Sequence, residues 1–168
     1  TRSLILAEAR REASPRRVLD SVNRLLLELG RPDMFVTVFY GVISISEQRM
    51  AYARAGHDRP LLMRQASVIP LHGDGACLGI LEEDMFHLAE QEVRLETGDL
   101  LVLYSDGLTD VMGPEEAFYG AERFRSLIVS HAGRCPEELC SMVFADLAHY
   151  QGSAAQYDDM TLLVVEVH

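Results

Sequence analysis

The sequence predicts an α+β protein in which antiparallel sheets are covered by helices, and three observations carry that expectation. Amphipathic helical patterns gather at the two ends of the chain, over 1–29 and 120–150. Strand-forming runs follow one another between them at hairpin spacing, without the helix-for-strand alternation of βαβ units. No internal repeat, linker or low-complexity tract interrupts the 168 residues, so one domain over 1–168 with a sizeable core is expected.

The elements follow in order. Leu4, Ile5, Leu6 and Ala9 give residues 1–12 a helical pattern that begins with no cap before it. Ser14-Pro15 opens a second helix, Ser as cap and Pro in the first turn. Val18, Leu19, Val22, Leu25, Leu26 and Leu29 repeat at helical spacing, and Gly30 is the predicted stop. Residues 35–43 are rich in β-branched and aromatic side chains, and Met50–Ala55 alternates, with Ser46-Glu47-Gln48 as the turn. Leu61–Met63 and Ser67–Ile69 read as a hairpin around Arg64-Gln65-Ala66. Strands are expected at 87–95 and 100–104, helices at 120–131 and 136–150, and a last strand at 160–167.

Composition narrows the function. A net charge of −11 disfavours nucleic acid, because phosphate contacts need basic surface. All 15 basic residues are Arg, so this chain has no Lys for a phosphate loop or a Schiff base. Its apolar runs are shorter than a membrane span and Thr1-Arg2-Ser3 opens no leader pattern, so a soluble, cytoplasmic chain without membrane contact is expected. Cys77, Cys135 and Cys140 lack zinc-site spacing and read as free thiols. No Gly-x-Ser-x-Gly elbow supports a serine hydrolase.

The chemistry concentrates at two turns. Leu100–Tyr104 runs into Ser105-Asp106-Gly107, and Asp158-Asp159-Met160-Thr161 leads into the last strand. A buried strand holds a carboxylate at its end in one position. Hard cations such as Mg²⁺ and Mn²⁺ take such oxygen ligands. Each turn has a plainer alternative: Asp-Gly is a favoured hairpin turn, and adjacent acids suit a solvated loop. In regular strand geometry only one of Asp158 and Asp159 would face a given site. Asp110 either joins the site or caps the next segment. Gly56 signals close backbone approach or an unusual dihedral, and His57 beside it reads first as structural.

Their order is more specific than any one motif. Phe35-x-Thr37, Ala55-Gly56-His57, Leu78-Gly79-Ile80, Gly98-Asp99, Ser105–Asp110, Tyr119-Gly120-x-Glu122-Arg123 and Asp158–Thr161 occur in one series. The chain resembles the bacterial SpoIIE/RsbU-type serine phosphatases of the PPM family, relatives of protein phosphatase 2C. The resemblance implies a four-layer α-β-β-α sandwich of two antiparallel sheets flanked by helices. It implies two Mn²⁺ or Mg²⁺ ions that activate a water against phosphoserine or phosphothreonine. Motif matching makes Asp106 and Asp158 the metal-binding and catalytic residues. Asp159 becomes a further ligand, and Gly107, Gly56 and His57 supporting residues.

The family's two upstream acidic motifs, a strand Gly-Asp and an Asp-x-x-Gly-His-Gly, do not occur in this sequence. The expectation is a piece of a longer chain lacking the N-terminal strands, with 1–30 as the regulatory helical pair after a receiver or sensor domain. A natural remnant is the other reading. Residues 1–168 alone are then expected to bind metal poorly and to lack activity. The resemblance implies a phosphoserine protein as substrate, of the anti-sigma factor antagonist type, and leaves room for a homodimer. The alternative is an adaptor domain, as in response regulators of the RssB type, that binds a sigma factor without hydrolysis.

Overall fold

Two antiparallel sheets, each with its own pair of helices, are built by residues 1–29 and 35–168, which the computed structural model of the chain describes. They divide into two units, 1–59 with 72–95, and 60–71 with 96–168.

In the first unit, α1 (Arg2–Glu8) and α2 (Pro15–Glu28) accompany β1 (Val38–Ser44), β2 (Arg49–Ala55) and a later edge strand, Glu90–Arg94. The Ser14 hydroxyl accepts the Arg17 N–H at 3.3 Å, which caps α2 as its sequence requires. Val18, Leu19, Val22 and Leu26 are buried in one cluster with Ala53, Ala55 and Leu78. Asn23 is buried on α2 and keeps both amide ends satisfied: Nδ2 donates to Leu81 O at 3.0 Å, and Oδ1 accepts from Gly79 N at 2.8 Å. Leu29 shares the apolar phase yet is 63% exposed, so the buried stripe ends a turn before its periodicity does. The predicted stop at Gly30 lies outside the described residues.

β1 and β2 pair from Val38↔Ala55 to Ser44↔Arg49, leaving a loop at 45–48 in which Gln48 has φ 49°. The strand expected at 87–95 is shorter. Phe86 and Leu88 enter the core from irregular chain, and the Ala89 N–H bonds to Asp74 O at 3.0 Å. Only Glu90–Arg94 joins the sheet, and its exposed Glu90, Gln91 and Glu92 suit an edge.

The second unit holds β3 (Leu61–Arg64), β4 (Ser67–Pro70), β6 (Leu100–Tyr104) and β7 (Leu162–Glu166) in the order β4-β3-β6-β7; β5 is the Glu90–Arg94 strand above. Leu100, Leu101, Val102 and Tyr104 are buried, which is why β6 reads as an unbroken apolar run. Helices α3 (Ala121–Ser130) and α4 (Pro136–Gln151) bury Phe124, Ile128, Leu139, Val143 and Leu147 in the same cluster as Val102 and Tyr104. The Tyr104 and Phe124 rings meet at 4.6 Å.

One charged pair is embedded here. Asp99, only 1% exposed, accepts from Arg64 at 2.9 Å (Nε to Oδ1) and 2.7 Å (NH2 to Oδ2), and from the Glu96 N–H at 2.8 Å. Burial raises the Asp99 pKa, but the Arg64 hydrogen bonds, the Glu96 N–H and the Arg64 charge outweigh it and leave it below the ordinary carboxylate value. The three cysteines are free, and among the described residues no helix is long and apolar enough to cross a membrane.

Candidate functional site

Strand β6 delivers Ser105 and Asp106 at its end, but no hairpin forms there. Asp106–Leu108 is a 3-10 turn, and the Asp106 carbonyl accepts from Thr109 N (2.8 Å), Asp110 N (2.8 Å) and Thr109 Oγ1 (2.9 Å). This overturns the hairpin alternative: the chain turns into a bonded loop instead of reversing into a paired strand. Three donors on one carbonyl fix the main chain carrying the Asp106 side chain, which is exposed.

Strand β7 brings the second turn alongside. Tyr104 pairs with Leu162, and the register continues as Ser105 N donates to Thr161 O at 3.0 Å. The Ser105 hydroxyl accepts from Thr161 N and donates to Asp159 O, each at 3.0 Å. A serine hydroxyl can do both at once, so one side chain bonds to two points of the facing segment. Gly107 is buried between them. A Cβ there would point into the Asp159 carbonyl oxygen, 2.8 Å from the Asp159 carbonyl carbon and 3.4 Å from that of Asp158. Only hydrogen fits, so Gly107 serves the site by its size.

Asp158 and Asp159 precede β7 in irregular chain, and both are exposed. The rule that strand neighbours face opposite ways therefore does not govern them, contrary to the regular-strand expectation. Asp158 Oδ1 accepts the Asp159 N–H at 2.7 Å, and Gln156 Nε2 donates to Asp158 O at 2.8 Å. Asp110 accepts the Thr109 hydroxyl at 3.4 Å. Among the described residues, Asp106, Asp158 and Asp159 make no ion pair with an arginine. Two main-chain-linked turns thus carry three exposed carboxylates that meet no cation among the described residues.

Gly56 and His57 belong to the first unit. Gly56 has φ +67°, and a Cβ there would lie 3.0 Å from Cys77 Cβ, so both expectations for it hold. His57 Nδ1 lies 3.5 Å from Thr37 Oγ1, and its carbonyl accepts from Arg54 at 2.5 Å. Its ring contact is with the Thr37 side chain.

Sequence reasoning assigned no role to Ser105 and Thr161, which link the two turns. The available signal was a hydroxyl residue beside each Asp motif. It also passed over the anchor of the loop that follows Asp106. Tyr119, buried, donates its hydroxyl to Asp146 Oδ2 at 2.6 Å, and its main chain bonds to Val111 O at 2.8 Å. Burial first, and the Asp146 carboxylate second, push the Tyr119 pKa up to about 12. The Arg123 guanidinium sits 4.9 Å from the Tyr119 ring and 4.4 Å from the Tyr150 ring.

The sequence model of the family described as "Stage II sporulation protein E (SpoIIE)" matches residues 1–168. The chain belongs to the SpoIIE family. Phosphoserine phosphatase RsbU of Bacillus subtilis is 29% identical over 153 residues, 90% of this chain and 44% of RsbU. The SiaA-PP2C domain of Pseudomonas aeruginosa has TM-score 0.87 and 24% identity, covering 99% of this chain and 67% of that one. The PP2C phosphatase domain of Bacillus subtilis SpoIIE, with a fragment of its regulatory domain, has TM-score 0.81 and 18% identity, over 98% of this chain and 48% of that one. The phosphatase domain of the same protein presoaked with Mn has TM-score 0.66 and 18% identity, over 98% and 72%. At these identities the structural likeness speaks for the fold alone, and it is the PP2C-like α+β fold. The chain spans less than half the length of each curated relative it matches.

Proposed function

We propose that this SpoIIE-family chain carries part of the active site of a Mn²⁺- or Mg²⁺-dependent protein phosphatase, which hydrolyses phosphoserine or phosphothreonine on a signalling protein. The observation that carries the reading is the docking of the Asp106-Gly107 turn on the Asp158-Asp159 main chain. The donor chemistry fits a hard cation: carboxylate oxygens, exposed, on bonded backbone, and unpaired with any arginine among the described residues. Among the described residues no three of His, Cys, Asp and Glu gather around one point. One or two carboxylates with waters and substrate phosphate are a normal Mg²⁺ complement, so these two turns fit as one share of a site for two ions.

Asp106 and Asp158 would hold the cations, with Asp159 as a further ligand. Ser105 and Thr161 keep the turns in register, and Gly107 lets them touch. Bound Mn²⁺ or Mg²⁺ would supply positive charge for the phosphoryl oxygens and a water of lowered pKa. Gly56 and His57 are kept as supporting residues by motif kinship only. The likeness to RsbU, a phosphoserine phosphatase, supports phosphoserine as the substrate group. Kinship also supports a partner of the anti-sigma antagonist type, a receiver or sensor domain upstream in the parent chain, the helices at 1–30 as a regulatory pair, and a possible homodimer.

The test is phosphate release from a phosphoserine peptide by the full-length protein across a Mn²⁺ titration. Asp106→Asn and Asp158→Asn are each expected to lower turnover at least about 100-fold. They should also weaken Mn²⁺ binding measured by calorimetry. Metal-dependent turnover unchanged in Asp106→Asn would overturn the assignment. A sigma factor retained on the protein, with no turnover at any Mn²⁺ concentration, would make it an adaptor instead.

A further inference from the structure

Tyr157 stands immediately before Asp158, and its ring meets Phe118 edge-on at 5.6 Å, with 71° between the planes. Both rings stay largely in solvent, Tyr157 63% and Phe118 51% exposed. Paired exposed aromatics mark contact surfaces more often than scattered apolar side chains do, and aromatic anchors dominate recognition energetics. The pair also stands on fixed chain. The Phe118 carbonyl accepts the Tyr150 hydroxyl at 3.3 Å, Tyr119 is anchored to Asp146, and Gln156 bonds to Asp158 O on the other side.

Resting on the phosphatase reading, we infer that Phe118 and Tyr157 form the docking platform for the residues flanking the phosphoserine and select an apolar side chain within two positions of it. An extended peptide advances at most about 3.3–3.6 Å per residue. A phosphoserine presented to Asp158 therefore has residues one or two positions away within reach of Tyr157, the residue next in sequence. Three carboxylates in the touching turns and a net charge of −11 disfavour an acidic flank. An apolar contact supplies affinity without a charge term. The platform is a specificity element distinct from the metal ligands.

The experiment uses the full-length protein and two synthetic phosphoserine peptides, one with Leu two residues either side of the phosphoserine and one with Gly at both places. Binding is read by fluorescence anisotropy in Mn²⁺, and phosphate release is followed in parallel. The Leu peptide is expected to bind about tenfold more tightly, the scale of one aromatic anchor. Phe118→Ala with Tyr157→Ala should reduce that preference below about twofold, and Tyr157→Phe should retain it. Phe144→Ala, at an exposed apolar position on α4, should leave it in place. Both variant sites are exposed, and thermal melts verify that the variants fold. Equal binding of the two peptides by the parent protein, or a preference that survives the double substitution, overturns the inference. A preference that is lost on substitution in a protein releasing no phosphate keeps the platform and sinks the phosphatase reading alone.

Discussion

Replacing Gly107 with alanine should part the two acidic turns. The added Cβ would lie 2.8 Å from the Asp159 carbonyl carbon and 3.4 Å from the Asp158 carbonyl carbon, with the Asp159 oxygen nearer still. Those are backbone atoms of a segment held by Ser105 and by β7, so no side chain can swing aside. Relief requires the turns to separate by about 1 Å, the sort of overpacking that costs about 1–3 kcal/mol. That separation stretches Ser105 Oγ to Asp159 O and Thr161 N to Ser105 Oγ, both 3.0 Å, each contributing about 1 kcal/mol. The expected loss is about 3–5 kcal/mol, or about 6–20 °C in Tm for a chain of this size. Mn²⁺ affinity should fall with it. Gly98→Ala is the control: Gly98 has φ +87° and nothing near its Cβ, so it should lose only about 1–2 kcal/mol of dihedral strain and keep its metal affinity. The assay is urea unfolding beside calorimetric Mn²⁺ titration, both on the full-length protein. A Gly107→Ala protein with parental stability and parental Mn²⁺ binding would refute the claim that contact between these turns builds the site.

Other substitutions probe the frame. Arg64→Ala leaves Asp99 buried and unpaired, and should cost about 3–5 kcal/mol by denaturant unfolding. Because the folded pKa of Asp99 is depressed, its contribution is complete above the unfolded value near 4 and is lost as pH falls through the folded one; Asp99→Asn should flatten that acid limb of the stability curve. Tyr119 is the opposite case: its folded pKa is raised, so its share of stability is intact below about pH 10 and lost towards 12. Tyr119→Phe should remove that alkaline limb, cost about 1 kcal/mol at neutral pH, and delete one late step from the ultraviolet phenolate titration. Leu26→Asp puts a carboxylate into the cluster beneath α2 and should cost at least about 3 kcal/mol by urea unfolding; a change under 1 kcal/mol would contradict the burial of that face.

Periodicity made much of the scaffold readable. The Ser14-Pro15 opening, the alternation of Met50–Ala55 and the apolar run of β6 each state a local rule that the tertiary structure keeps. Where reading failed, a non-local contact had decided. Leu29 has the right phase but stays exposed. Leu88 is expected in a strand, yet with Phe86 it fills the core from a loop that bonds to Asp74. Gly98-Asp99 reads as a plain turn, while Arg64, thirty-five residues earlier, makes Asp99 an interior charge. At the candidate site, the ordered series of motifs is what singles out the acids. The linkage was not, because a serine bonded to main chain 54 residues away leaves no periodic trace. Phe118 and Tyr157 fall outside every predicted element, where pattern reasoning has no purchase.

The separation between the paired turns also sets a schedule for synthesis. Strand β6 and the Asp106 turn leave the ribosome first, followed by both helices of the second unit, before Asp158 and β7 are made. At about 5–20 residues per second, that gap is several seconds. A nascent chain can therefore assemble α3, α4 and most of the sheet with β6 still exposed along one edge. Residues 158–166 both close that edge and bring the second acidic turn against the first, so the pairing of the turns arrives together with protection from aggregation.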